Sequence, residues 1–211
     1  MTPPIRARLR GVAVAVLAAL LAGCISVFPK EKPAQLFRFG DSPQPRAAAT
    51  APGAGRFTVQ IATLGFDRGA AGDRILTVTG DEAAFIKGSR WLTAAATMFD
   101  AAVTRAFDAD AGPARLVAHG EAAHIDYLVK LDVRTFEARY ASGPGAPPTA
   151  VVEVYAAISN ARNRSAIAEH VFQAQAPASD NRVYAIAAAF DQAVGKVLGE
   201  LISWVDAKGA S

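Results

Sequence analysis

Ile125-Asp126-Tyr127-Leu128-Val129-Lys130-Leu131-Asp132-Val133-Arg134 is the stretch from which the rest of the chain can be read. Ile125, Tyr127, Val129, Leu131 and Val133 fall on one side of a two-residue period, while Asp126, Lys130, Asp132 and Arg134 fall on the other. Successive side chains of a strand point to opposite faces, so this pattern predicts a strand with one buried and one wet face. Beyond Arg134 the apolar set moves to Phe136, Ala138 and Tyr140. A one-residue change of phase without a turn signal predicts a β-bulge.

Working outward from this strand, Ser142 to Thr149 holds three prolines and two glycines and reads as a loop. Val151–Ile158 and Ala166–Gln175 read as two more strands around the polar turn Asn160–Arg164. Val183, Ile186, Phe190, Val194, Val197, Leu201 and Val205 recur at three- and four-residue intervals, the stripe of a long amphipathic helix capped by Ser179 or Asp180. On the other side, Arg115–Ala118 reads as a short strand. Leu92, Ala95, Phe99, Ala102, Val103 and Ala106 predict an earlier helix, with Ser89 as its cap and Gly112-Pro113 beyond its end. Ile75–Thr79 and Ala83–Lys87 flank Gly80-Asp81, the signature of a hairpin with glycine at the first turn position. Phe57, Val59 and Ile61 mark a further strand, and Gln35–Phe39 another. Strands, helix, strands, helix is the order of an α+β domain. The expectation is a mainly antiparallel sheet of about six to eight strands with two amphipathic helices packed on one face.

The amino terminus reads differently. Arg6, Arg8 and Arg10 precede an apolar run from Gly11 to Ala22 that ends in Leu21-Ala22-Gly23-Cys24. A basic segment followed by a short apolar one is a secretory leader, too short to span a bilayer comfortably. Its ending resembles a bacterial lipobox, in which the cysteine thiol is acylated and the leader is cut before Cys24. Residues 1–23 are accordingly expected to be a signal peptide, 24–34 a lipidated tether, and 35–208 one domain. Residues 41–55, rich in Pro, Ala and Gly, are expected to be a mobile linker or a loop within that domain. The leader's three arginines account for the whole formal charge of +3, so the mature chain is neutral. A neutral chain with no basic run lacks the electrostatic footprint of nucleic-acid binding. Cys24 is the only cysteine, which excludes a disulfide or a Cys-based zinc site.

Residues suited to catalysis are sparse. His119, Glu121 and His124 lie close in sequence, but Gly120 and their spacing do not suit the paired histidines of a helical zinc site. They read as loop residues, and His170 reads as a surface or edge residue. There is no Gly-x-Ser-x-Gly elbow. Gly69-Ala70-Ala71-Gly72 precedes a strand, the wrong context for a phosphate loop. Arg162 and Arg164 read as solvated residues of a hairpin tip, and Trp91 as a core anchor rather than a ligand platform.

Taken in order, the lipobox, Gln35-Leu36-Phe37-Arg38-Phe39, Asp73-Arg74-Ile75, Gly88-Ser89-Arg90-Trp91, Asp126-Tyr127-Leu128-Val129 and Leu201-Ile202-Ser203-Trp204-Val205 resemble the ABC-type transport auxiliary lipoproteins. These are the paraquat-inducible-type lipoproteins that work beside MCE-domain membrane systems. The resemblance implies a non-enzymatic, cofactor-free subunit assisting transport of lipids or other hydrophobic molecules across the envelope. It also implies an MCE-domain protein or an ABC permease complex as partner. Cys24 is the one site residue it transfers, and Ile25 behind it, in place of aspartate, implies the outer membrane facing the periplasm. A periplasmic carrier with a ligand groove under the long helix, or a purely structural envelope lipoprotein, remains the alternative. Monomer and homo-oligomer are equally open.

Overall fold

The computed structural model describes residues 33–41, 55–118 and 120–209. Eight strands and two helices follow in the order β1 (Gln35–Phe37), β2 (Phe57–Phe66), β3 (Arg74–Thr79), β4 (Glu82–Trp91), α1 (Ala95–Asp108), β5 (Ala114–Leu116), β6 (Tyr127–Arg139), β7 (Thr149–Asn160), β8 (Ala166–Pro177) and α2 (Val183–Gly209). The expected leader and lipobox, nearly all of the expected 24–34 tether and 41–55 linker or loop, and His119 lie outside the described residues.

β6, the strand whose alternation is clearest in the sequence, is the centre of the sheet. One of its edges carries β7 and then β8, both antiparallel. Its other edge is shared end to end: β2 lies parallel against Tyr127–Val133, and β3 lies parallel against Ala138 and Arg139. β5 extends the sheet beyond β2, while β4 and then β1 extend it beyond β3. The expected bulge is present, with the β6–β7 register shifting between Val133 and Thr135.

The expectation of a mainly antiparallel sheet is corrected: the sheet is mixed. Four of the seven strand pairings among the described residues are parallel (β1–β4, β2–β5, β2–β6 and β3–β6). The three antiparallel ones are the hairpins β3–β4, β6–β7 and β7–β8. The reason is the crossover. Parallel neighbours need a connection of about a dozen or more residues, and the segment holding α1 supplies one.

Asp126 sets the parallel register of β2 against β6. Its carboxylate accepts from the Thr58 backbone N–H and from Thr58 Oγ1, both at 2.8 Å. These bonds hold its carboxyl below the usual aspartate range. The hairpin β3–β4 turns on Gly80, whose φ of +58° suits glycine at the first turn position. Further along, Gly88 at φ +70° lies where the β3–β4 register shifts between the Leu76–Phe85 and Arg74–Arg90 pairs, just before β4 also takes β1 on its other edge at Ser89–Trp91.

One face of the sheet carries both helices. Val129, Leu131, Val133 and Phe136 of β6 are fully buried with Val152, Val154 and Ile158 of β7 and with Phe190, Val194, Val197, Leu201 and Val205 of α2. The opposite face keeps Lys130 and Arg134 exposed. Trp91 is the hub, as its expected core role requires, at 1% exposure. Its ring meets Phe39 at 5.0 Å and Phe190 at 5.2 Å edge to face, and Phe136 stacks on Phe190 at 4.8 Å.

Two local expectations change. Trp91 ends β4 rather than opening the helix, so Ser89 is a buried strand residue opposite Gln35 and caps nothing. The helix starts at Ala95 without a side-chain cap, because the Ala95 and Ala96 N–H groups donate to the carbonyls of Gly72 and Ala71 at 2.9 and 3.2 Å. Leu92 consequently falls outside the buried stripe and is 55% exposed.

Candidate functional site

The residues singled out for chemistry are scattered. Glu121 accepts from both Nη atoms of Arg115 at 3.0 Å and from the Ala118 N–H at 3.1 Å, and the arginine bonds hold its carboxyl below the usual range. It therefore ties the loop after β5 back onto that strand. His124 Nε2 lies 3.3 Å from Asp126 Oδ1 and 3.5 Å from Arg162 Nη2, an exposed trio at the start of β6 beside the β7–β8 turn. His170 is on the edge strand β8, its ring 4.6 Å from Phe172 and 6.5 Å from Trp204. Among the described residues no group of three His, Cys, Asp or Glu side chains could hold a metal ion. The Gly69–Gly72 segment spends its carbonyls on the amino end of α1, so that helix end is closed by backbone.

The motifs do meet one another. Arg90 Nη1 forks onto both oxygens of Asp73 at 3.0 and 2.9 Å, and the Trp91 N–H donates to the Asp73 carbonyl at 2.7 Å. Tyr127 sets its ring edge-on to Phe57 at 5.3 Å and donates its hydroxyl to the carbonyl of Gly209 at the end of α2. Gly40 follows β1 at φ +78° where a Cβ would overlap Ala102. Its N–H donates to Asp191 at 2.6 Å and its carbonyl accepts from Arg105, which joins the chain to both helices. These residue types are placed to build the fold.

A concave feature among the described residues is a groove of about 410 Å³ between α1 and the strands β2 and β5. Ile61, Val103, Leu116 and Val117 form its apolar floor, and Asp100, Thr104 and Asp108 rise along one wall. Thr63 Oγ1 donates to Asp100 Oδ1 at 2.7 Å across it. The sequence reading missed this groove. The four-residue spacing Asp100, Thr104, Asp108 marks one polar helix face, but nothing local says that β5 ends after three residues and leaves that face open.

With that geometry in place, the comparisons with known proteins can be set against it. The family model described as the ABC-type transport auxiliary lipoprotein component matches residues 40–201. The chain belongs to that family. This auxiliary-lipoprotein chain is similar in structure to protein XCC0632 from Xanthomonas campestris, a DUF330 protein. The TM-score is 0.72 at 27% identity over 83% of this chain and 97% of that one. It also shares its fold with the hypothetical protein CT253 from Chlamydia trachomatis, at TM-score 0.53 and 10% identity over 73% and 98% of the two chains. No curated protein matches the sequence. Membership makes the chain an auxiliary component of ABC-type transport in the cell envelope, not a member of a known enzyme family. No described helix is long and apolar enough to cross a membrane.

Proposed function

We propose that this protein is a non-enzymatic adaptor, lipid-anchored through Cys24, that serves an MCE-type system moving lipids or other hydrophobic compounds across the envelope. The observation carrying this reading is the family match, which begins shortly after Leu21-Ala22-Gly23-Cys24. Cleavage before Cys24 leaves residues 24–34 as tether and 35–208 as the working domain. From Cys24 to Gln35 the chain reaches at most about 40 Å when extended, so the domain works close to its membrane. One acyl chain binds a bilayer only marginally and stable anchoring takes two signals, which matches acylation of both the thiol and the new amino terminus. Ile25 favours the outer membrane, periplasmic side. An MCE-domain protein or its ABC permease complex is the partner to look for.

Two measurements test this. Cys24→Ser should abolish labelling by a fatty-acid probe and leave uncleaved precursor in the cell; a mutant that still labels overturns the anchor. Mild crosslinking in cells should capture an MCE-family protein, and capture of none overturns the adaptor role.

A second reading has one observation in its favour: the groove beside α1 gives a carrier somewhere to hold a ligand. It is not the groove once expected under the long helix, because the stripe of α2 is filled by the sheet.

A further inference from the structure

We infer that the groove between α1, β2 and β5 binds a single-chain amphiphile with a cationic head, its alkyl chain on the floor and its ammonium on one of the two α1 carboxylates. This inference deepens the carrier reading and rests on it. The volume of about 410 Å³ lies in the lower part of the range of about 300–1,000 Å³ usual for small-molecule sites. That size suits one chain better than a two-chain lipid. Ile61 of β2 and Val103 of α1 both line the groove, together with Leu116 and Val117 of the β5 segment. Such a surface offers a methylene chain apolar contact and no hydrogen bond to satisfy.

Charge chooses the head group. Asp100, Thr104 and Asp108 are successive members of one i, i+4 row, so the two carboxylates stand about 12 Å apart along the groove wall. No lysine or arginine lines the groove. The nearby Arg115 is held on Glu121, and Arg105 is held on the Gly40 carbonyl and Asp41. Asp100 accepts a hydroxyl, which leaves its charge uncompensated, and Asp108 has no ion-pair partner among the described residues. An anionic head would meet two like charges, and a neutral head would forgo the attraction. Because both carboxylates are exposed, their attraction is screened by salt, and the apolar floor supplies most of the affinity.

The test is calorimetric titration of residues 24–211, expressed without the preceding segment and with Cys24→Ser so that no acyl chain competes, with three twelve-carbon probes below their micelle concentrations. These are dodecyltrimethylammonium, dodecyl maltoside and dodecyl sulfate. The cationic probe should bind about two- to fivefold tighter than the neutral one at low salt, the ratio that one exposed ion pair supplies, since a single ammonium reaches one of two carboxylates about 12 Å apart. Raising the salt should shrink that ratio. Asp100→Asn with Asp108→Asn should abolish the preference while leaving the neutral probe's affinity in place. Ala118→Phe, at an exposed lining position, should weaken all three probes with an unchanged melting temperature. Equal binding of the three probes, tighter binding of the sulfate, or indifference to Ala118→Phe overturns the inference. Capture or loss of an MCE partner is read in the crosslinking experiment, so failure here leaves the adaptor reading standing.

Discussion

The helical layer has two halves that obey the same packing rule with opposite results. Over β6, β7 and β8, the 27-residue α2 presents its stripe to long strands, and the stripe is buried along its length. Over β2 and β5, the 14-residue α1 meets a strand of only three residues, and the wall beyond it stays open. An amphipathic helix closes a core only as far as its partner surface extends. The closed half therefore carries the stability, and the open half is where the proposed ligand would sit. Substitutions should separate the two.

The largest effect should come from the hub of the closed half. Trp91→Ala removes the ring that Phe39 and Phe190 pack against, and should cost about 3–5 kcal/mol. Against a domain stability of about 5–15 kcal/mol, that shows as a large drop in the melting temperature. A melting temperature close to that of the wild type would move Trp91 from core to surface and dissolve the contrast.

Next comes the point where the halves are joined. Gly40→Ala places a side chain at positive φ and against Ala102 of α1, and should cost about 2–4 kcal/mol. Hydrogen exchange should show faster opening along α1 than along the middle of α2. Uniform acceleration in both helices would mean that the layer behaves as one unit.

The smallest effect is expected at the start of β6. The Asp126 carboxyl titrates below its unfolded value, so its contribution is present above the unfolded pKa of about 4 and is lost as the pH falls through the folded pKa. Asp126→Asn should lower stability at neutral pH by no more than about 1 kcal/mol, given its partial exposure, and should flatten the decline in acid. Chemical denaturation between pH 7 and pH 3 checks it. An unchanged acid slope would remove Asp126 as the clamp between β2 and β6.

Much of this was legible along the chain. The alternation of residues 125–134 and the phase change after Arg134 identify the central strand and its bulge, because a two-residue period is a local property of an extended backbone. The α2 stripe and the Gly80-Asp81 turn are local in the same sense. Asp126 was visible as part of a motif, whereas its bond to Thr58, 68 residues away, was not. The Ser89 cap failed for a related reason. Carbonyls of Ala71 and Gly72 already serve the helix end, and only the folded chain brings them there.

By itself, then, the order of residues determined the element types, the apolar faces and the neutral formal charge of residues 24–211, none of which depends on contacts between distant parts of the chain. Tertiary structure alone decided that β2 and β3 share one edge of β6 in parallel, that Trp91 sits among Phe39, Phe136 and Phe190, and that α1 overhangs a groove. Each of these depends on which surfaces meet after a crossover, and local periodicity carries no information about the partner on the far side.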